Sequence, residues 1–358
     1  MAPCPEWLIW PKHLDRLRQL DVVLLGGGTS EEREVSLRSA DSMAAALLSL
    51  DERSTRSHLQ SLRRVEIDAQ GAWVVGGQSY KRDEALRRLA PRSVFLLALH
   101  GGEGENGQVQ NFLAERGAIY TGSDPDSSAL CMDKTQACTR VRTAGMACAP
   151  GVLFRPSPWN AELALRDCLA LGAGPWFVKP NCGGSSLGVV RIQRAQDLPG
   201  AIEALLQTGQ DVLVEQEIRG LEVSVGVLGT AGSSTQALPL CEIQPERGNF
   251  FDYSEKYDAG GATETCPPAH TSPESAVRVQ QLACEAFDLL RCDGYARVDF
   301  ILQESDGTPV FLEANTLPGM TQRSLLPLAA RAAGVDLGSL CLEILARALT
   351  GARPSSQS

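Results

Sequence analysis

The sequence predicts an α/β fold over its first third and an α+β fold beyond it, and three observations carry that expectation. Short apolar runs ending in glycine-rich loops alternate with helix-forming segments over residues 21–120, the pattern of an open sheet with ligand loops at its strand ends. From Pro150 onward the rhythm changes to short apolar runs and helices of a smaller antiparallel unit. The chain has 358 residues, which at roughly 150 residues per domain gives two to three domains.

In chain order, residues 21–26 form an apolar run that ends at Gly26, Gly27 and Gly28, and an Ala-rich stretch follows to about Leu50. This reads as strand, turn and helix. Residues 51–92 mix charge with two strand pieces, 64–68 and 72–75. Residues 93–99 have the composition of a buried strand and lead into the loop 100–107, followed by helix 108–116, strand 118–120 and a helical stretch 132–144. The next unit has strands at 151–154, 175–179, 189–192 and 212–217, with helices at 162–171 and 198–207. The last has strands at 222–228, 238–243, 294–302 and 309–314, a loop of low hydrophobicity at 245–270, a helix at 273–290 and a closing helix to Leu349. Residues 351–358 read as a frayed tail.

Composition excludes several classes of function. Apolar residues make up 43% and charged residues 21%, ordinary for a globular protein. The net charge of −10 argues against a nucleic-acid footprint, which needs clustered Lys and Arg, and 5% aromatics leaves few stacking platforms for bases. The 11 cysteines are odd in number, scattered and without Cys-x-x-Cys spacing, so reduced thiols in a cytoplasmic protein are expected. Residues 1–10 lack a cationic region followed by a long apolar stretch, which disfavours a signal peptide, and no apolar run reaches membrane-spanning length.

Two groups of residues suggest chemistry directly. The stretch 179–188, Lys-Pro-Asn-Cys-Gly-Gly-Ser-Ser-Leu-Gly, offers glycine backbone and hydroxyls to a phosphate with Lys179 at its side, although a plain glycine turn with an exposed lysine has the same signature. In strands 294–300 and 310–316, the period of two places Arg297 with Asp299, and Glu313 with Asn315, on common faces. Two carboxylates and an amide suit Mg²⁺, and cross-strand ion pairs on a solvated face are the alternative. Glu31, Glu32 and Glu34 at a helix start commonly only offset the helix dipole, and a lone histidine such as His100 is more often structural than catalytic.

The constellation is more specific than its parts. In order, Gly-Gly-Gly-Thr-Ser-Glu-Glu-Arg-Glu-Val-Ser-Leu at 26–37, His-Gly-Gly-Glu-Gly-Glu-Asn-Gly at 100–107, Tyr-Thr-Gly-Ser at 120–123 and Met-Asp-Lys at 132–134 precede Lys179 and its loop. Phe-Phe-Asp-Tyr-Ser-Glu-Lys-Tyr at 250–257, Tyr-Ala-Arg-Val-Asp at 295–299 and Glu-Ala-Asn-Thr-Leu-Pro-Gly-Met-Thr at 313–321 complete it. Over residues 21–349 the chain closely resembles the D-alanine:D-alanine ligases of the ATP-grasp superfamily.

The resemblance implies a three-domain ATP-grasp fold. An N-terminal extension (1–20) would precede an N-terminal open parallel-sheet substrate domain (21–123), a central lid (124–219), a catalytic domain (220–350) and a flexible tail (351–358). It implies ATP as cosubstrate, two Mg²⁺ or Mn²⁺ ions per site, activation by a monovalent cation, and D-alanine as substrate in a cytoplasmic homodimer that binds neither nucleic acid nor membrane. One D-alanine would be phosphorylated on its carboxylate, and the amine of a second would displace the phosphate.

By the same resemblance, Lys134 and Lys179 would hold phosphates under the loop of Gly183, Gly184, Ser185 and Ser186. Glu215, Gln216 and Ile218 would line the adenine and ribose pocket, with Glu222 at the ribose. Asp299, Glu313 and Asn315 match metal ligands. Arg297 and Gly319 would stabilise the tetrahedral intermediate. Glu32 would hold the first ammonium with His100 near the carboxylate, while Lys256, Ser324 and Leu325 would serve the second substrate. Ser185, Tyr257 and Glu32 would form a trio joining the domains, and residues 250–257 would belong to a mobile loop that excludes water.

Departures are few. Asn106 stands where many relatives have Asp, and Cys182 in the phosphate loop suggests thiol sensitivity. Residues 1–20 and 51–92 fit the pattern poorly. Competing readings are a ligase for D-serine or D-lactate, a catalytically silent nucleotide-binding regulator, and an ATP-grasp ligase for a larger carboxylate. The Lys256-Tyr257 pair favours an amine as second substrate.

Overall fold

Three sheets organise a computed structural model that describes residues 5–52, 57–91, 93–184, 187–230, 235–244 and 263–350. A 3-10 turn (Trp10–His13) and α1 (Leu14–Leu17) precede the first sheet. That sheet contains β1 (Asp21–Gly27), β2 (Ser61–Ile67), β3 (Trp73–Val75), β4 (Gln78–Tyr80), β5 (Val94–Leu97) and β6 (Ile119–Tyr120), in the order β4-β3-β2-β1-β5-β6. Strands β2, β1, β5 and β6 are parallel, as the sequence predicts. The edge corrects that expectation, because β2, β3 and β4 run antiparallel. The reversal between β3 and β4 is the pair Gly76 and Gly77, both at positive φ (60° and 83°), which suits a two-residue hairpin.

Val22 to Leu25 are buried without alternation, as expected of a strand covered on both faces. The helix α2 (Arg33–Glu52) packs on β1, and α3 (Arg82–Arg87), α4 (Gly102–Glu105) and α5 (Gln108–Ala114) follow. The helix expected over residues 132–144 is α7 (Lys134–Arg142), and a separate, unexpected helix, α6 (Pro125–Met132), precedes it with a break at Asp133. Each helix has an aspartate cap: Asp124 accepts from Ser127 N (2.7 Å) and Asp133 from Gln136 N (2.9 Å). The break leaves Lys134 in the first turn of α7.

The second sheet, in the order β10-β9-β11-β8, is antiparallel throughout. It comprises β8 (Gly151–Phe154), β9 (Trp176–Pro180), β10 (Val190–Ile192) and β11 (Val212–Gln216), backed by α8 (Ala161–Leu171) and α9 (Leu198–Leu206). Their inward side chains form a separate small core around Trp176 and Ile202.

The third sheet is built on β12 (Gly220–Gly229), β16 (Gly294–Gln303) and β17 (Pro309–Asn315), flanked by β7 (Ala147–Cys148), β13 (Gln236–Ala237), β14 (Cys241–Gln244) and β15 (Thr263–Thr265). The helix Pro273–Leu289 packs Val279, Ala283 and Phe287 against one face. The closing helix expected to Leu349 is two helices, Leu325–Ala332 and Leu337–Thr350, bent by 101° around Gly334 at φ +80°. Among the described residues no single helix is long and apolar enough to cross a membrane, and this bent pair is apolar because it is buried in the core.

Residues 5–20, which fit no expected pattern, dock on the helix Leu337–Thr350. Glu343 Oε2 accepts from the main-chain N of Ile9 (2.8 Å) and Trp10 (3.0 Å), while Oε1 accepts from Arg347 Nε (2.9 Å). Glu343 and Arg347 are 0% and 4% exposed, so either charge left alone would be buried without a counter-ion. Replacing Glu343 by Ala should therefore destabilise the protein by about 3–5 kcal/mol, and by more than Glu343→Gln does, as read from urea unfolding midpoints. Equal midpoints for wild type and Glu343→Ala would contradict this account.

Candidate active site

The centre of the third sheet brings the predicted carboxylates together. Antiparallel pairing sets Ser224 opposite Asp299, Asp299 opposite Glu313, and Arg297 opposite Asn315. Asp299, 3% exposed, accepts from Arg297 Nε (2.9 Å) and Nη2 (2.8 Å), from Ser224 Oγ (2.7 Å) and from Asn315 Nδ2 (3.1 Å). The alternative of a solvated face with simple cross-strand pairs does not describe this buried, saturated group. Asp299, Glu313 and the Asn315 amide give oxygen donors on adjacent strands, a set whose chemistry fits Mg²⁺ or Mn²⁺. Among the described residues no cluster of three or more His, Cys, Asp and Glu side chains is placed to hold a metal ion, so this set depends on its amide as third donor.

Beside this face lies a cavity of about 580 Å³ between the second and third sheets. Lys134, Lys179, Gly183, Gly184, Glu215, Gln216, Ile218 and Glu222 all line it, and Phe177, Leu221, Ile243, Ile301 and Leu312 supply apolar wall. Lys179 on β9 forms an ion pair with Glu215, which lies on β11 two residues beyond Leu213, the residue directly opposite Lys179. Burial alone would lower the Lys179 ammonium, but Glu215 outweighs it and holds the group above its ordinary value, so Lys179 is charged. Lys134 Nζ lies 3.2 Å from Glu313 Oε2 and also donates to the carbonyl of Gly183. Both lysines thus sit at the junction of the phosphate loop and the carboxylate face.

Asn181 fixes that junction. Its Oδ1 accepts from Thr135 N (3.1 Å) and Oγ1 (2.7 Å), and its Nδ2 donates to Asp133 Oδ1 (2.9 Å), tying the loop after β9 to the start of α7. Cys182 follows it with an exposed side chain. Partial desolvation and then Asp133 push its thiol above the ordinary value, which disfavours the thiolate there.

At the opposite end, the carboxylate of Glu32 lies between two glycine loops. A methyl group on Gly184 would come 2.9 Å from Glu32 Oε2, and one on Gly101 would come closer still. Gly101 and Gly102 also hold positive φ (63° and 47°), so this approach requires glycine. Glu105, which the sequence reading did not select, is buried in the same loop and accepts from Gly101 N (3.1 Å). Desolvation, and then the nearby Glu32 charge, raise its carboxyl to about 7.

His100 is 6% exposed, with Nδ1 2.9 Å from the Leu317 carbonyl and Nε2 2.9 Å from Ser39 Oγ. The carbonyl can only accept, so Nδ1 carries the proton and Nε2 accepts from Ser39. Ser39 Oγ in turn accepts from Met320 N (3.1 Å). Both ring nitrogens are used inside the protein, which makes His100 a tie between the first sheet and the loop after β17 rather than a donor aimed at substrate. That loop carries Gly319, where a Cβ would lie 2.8 Å from Ser324 Oγ, and Ser324 leads into the N-terminus of the helix Leu325–Ala332. The predicted residues Ser185, Ser186, Lys256 and Tyr257, with the loop 250–257, lie outside the described residues.

Burial first, and then Arg297, lower His100 to about 4, below its ordinary 6.5. An unfolded chain takes up a proton below pH 6.5 that the folded chain refuses until about pH 4, so this contribution is complete above pH 6.5 and lost as pH falls toward 4. The loss should reach about 3 kcal/mol. Urea unfolding from pH 7 to 4 should show it in wild type and show a shallower slope in His100→Asn; parallel slopes would rule it out.

Comparison with known proteins agrees with this geometry. The family model described as "D-ala D-ala ligase C-terminus" matches residues 141–346. The D-alanine–D-alanine ligase of Nitratidesulfovibrio vulgaris strain Hildenborough is 37% identical over 336 residues, covering 93% of this chain and 99% of that protein. Among solved structures, the VanG D-Ala:D-Ser ligase from Enterococcus faecalis superposes with TM-score 0.77 at 28% identity, covering 92% of this chain and 99% of that one. The D-alanine–D-alanine ligase from Bacillus anthracis complexed with ATP gives TM-score 0.72 at 28% identity, covering 92% and 98%. With its ATP-grasp fold and its match along nearly the whole length of such relatives, the chain belongs to the D-alanine–D-alanine ligase family.

Proposed function

We propose that this protein is an ATP-dependent ligase that joins two D-alanines into D-alanyl-D-alanine for peptidoglycan precursors, through a D-alanyl phosphate and a tetrahedral intermediate. The observation that carries the reading is the meeting of three features: the cavity that holds Lys134 and Lys179, the Arg297–Asp299–Glu313–Asn315 face, and the glycine loop enclosing Glu32. The division of labour follows residues 21–123 for the first substrate, 124–219 for the nucleotide lid and 220–350 for catalysis. We further propose a cytoplasmic homodimer.

Each residue then has a physical task. Lys134 and Lys179 exchange their carboxylate partners for phosphate oxygens, so binding ATP replaces one set of charge pairs with another. Asp299, Glu313 and Asn315 would hold the Mg²⁺ or Mn²⁺ ions, Asp299 giving up one of its present donors, and these ions would neutralise phosphate charge. The apolar wall of Phe177, Ile243, Ile301 and Leu312 takes the adenine, with Glu215, Gln216, Ile218 and Glu222 at its edge and the ribose. Glu32 orients the ammonium of the first D-alanine. Arg297, held rigid by Asp299, and the main chain at Gly319 stabilise the oxyanion formed by attack of the second amine. The N-terminus of the helix Leu325–Ala332, with Ser324, receives the second carboxylate.

Purified protein given ATP, Mg²⁺ and D-alanine should release phosphate and D-alanyl-D-alanine in equal amounts. D-serine and D-lactate belong in the same panel because the VanG structure has a similar fold and is titled a D-Ala:D-Ser ligase. Failure to turn over any D-amino or D-hydroxy acid would sink the proposal. Gly319→Ala puts a methyl against Ser324 Oγ and should lower kcat/KM for the second D-alanine about 10- to 100-fold, while leaving ATP affinity within about twofold. Equal losses for both substrates would argue against this placement of Gly319.

A further inference from the structure

The fold places cysteines side by side that the sequence separates. Strands β14 and β15 pair with Glu242 opposite Thr265, and Cys241 and Cys266 are the next residues along each chain, Cys266 just past the end of β15. Paired positions of an antiparallel ladder have Cα atoms about 4.5–5.5 Å apart and a disulfide spans about 4.4–6.8 Å, so continuing the register brings the two cysteines within reach of each other. The two thiols lie 4.0 Å (Cys241) and 3.7 Å (Cys266) from the same Pro239 carbonyl, which places them side by side. Cys266 is half-buried and reachable, whereas Cys241 is 1% exposed. We propose that Cys241 and Cys266 are an oxidative modification site, a dithiol that a hydroperoxide converts into a disulfide.

The thiol of Cys266 is the one the peroxide meets. The neighbouring Cys241 thiol, and with it the Arg331 charge, outweigh burial and hold Cys266 below its ordinary value, which favours the thiolate there. The thiolate attacks a peroxide oxygen, the O–O bond breaks, and the departing alkoxide or hydroxide takes up a proton; Cys266 is now a sulfenic acid. Cys241 sulfur then attacks the Cys266 sulfur, the S–S bond forms, and hydroxide leaves with the Cys241 proton as water. Two thiols have lost two electrons in all, and one peroxide has become an alcohol and a water, or two waters when it is hydrogen peroxide.

Two other pairs sharpen the assignment. Cys131 and Cys292 have sulfurs 3.6 Å apart, but both are buried and shielded from oxidant. Cys148 is half-buried, yet its partner Cys138 is on a helix, with Cys148 Sγ 3.7 Å from the Cys138 carbonyl rather than across a strand register. The consequence of oxidation at Cys241 is local. Its sulfur lies 3.7 Å from the carbonyl of Leu325, the first residue of the helix assigned above to the second substrate. A bond to Cys266 removes the Cys241 S–H that donates to that carbonyl. This kinetic consequence rests on the proposed ligase reading, whereas the thiol chemistry does not.

The test treats the folded full-length protein with hydrogen peroxide, blocks free thiols, and maps cross-linked peptides by mass spectrometry. The expected result is a peptide joining Cys241 to Cys266, lighter by two hydrogens, absent in Cys266→Ser and reversed by dithiothreitol. In the ligase assay, oxidised wild type should show a KM for the second D-alanine raised roughly 2- to 10-fold, the range one hydrogen bond supports, with KM for ATP unchanged. Cys266→Ser should resist that rise. A cross-link found only at Cys131–Cys292 or Cys138–Cys148, or none at all, overturns the assignment. A mapped Cys241–Cys266 bond in a protein without ligase turnover would confirm the site and count against the ligase reading alone.

Discussion

Arg297 and Asp299 meet in the middle of the third sheet, and the rest of the site depends on that buried pair. A carboxylate 3% exposed is tolerable only when its lone pairs are occupied, and Asp299 receives donors from its own strand, from β12 and from β17. The pair therefore fixes the register of three strands at once. The alternation of β16 turns Ala296, Val298 and Phe300 to the hydrophobic core on the other face, so slipping by one residue would bury charge in that core and expose the apolar row. Packing and chemistry are enforced by the same alternation.

Around this centre the protein balances like charges at close quarters. Glu32, Glu105, Asp299 and Glu313 face Lys134, Lys179 and Arg297, and the pairing is uneven: Asp299 and Glu313 each have a cationic partner, whereas burial beside Glu32 holds Glu105 near 7. Such excess negative charge favours cationic and metal-bearing ligands over free anions. The glycines at 101 and 184 let two loops from different sheets press on one carboxylate, and neutral His100 binds the loop of Gly319 to the first sheet. The first-substrate end and the oxyanion end are thereby held in one frame.

Much of this was legible in the sequence because it depends on period and local chemistry. Alternation alone puts Arg297 with Asp299 and Glu313 with Asn315, the antiparallel register of the fold joins the two pairs, and the cavity residues followed from the family pattern. What was not legible depends on long-range partners. Nothing local marks Ser39 as the partner of His100, or Ser224 as a ligand of Asp299, since each meets its partner across a distant strand or helix. The helix α6, which was not expected, did have a local signal in the Asp124-Pro125 cap, and Asp133 marks where the expected α7 begins. The Gly76-Gly77 hairpin likewise carried its signal in the open. Glu105 lay inside a quoted motif, but only burial beside Glu32 distinguishes it from the other acidic residues there.

The account's central claim is that this chain activates a D-alanine carboxylate by phosphoryl transfer before the second amine arrives. Positional isotope exchange tests it most directly: ATP labelled with heavy oxygen at the bridge between its last two phosphates is incubated with protein, Mg²⁺ and D-alanine, and the label is followed into the non-bridging positions. The account predicts exchange that requires the first D-alanine and disappears in Arg297- and Glu32-intact protein only when D-alanine is withheld. Exchange independent of D-alanine, or dipeptide formation without any exchange under conditions where bound ADP can rotate, would contradict it.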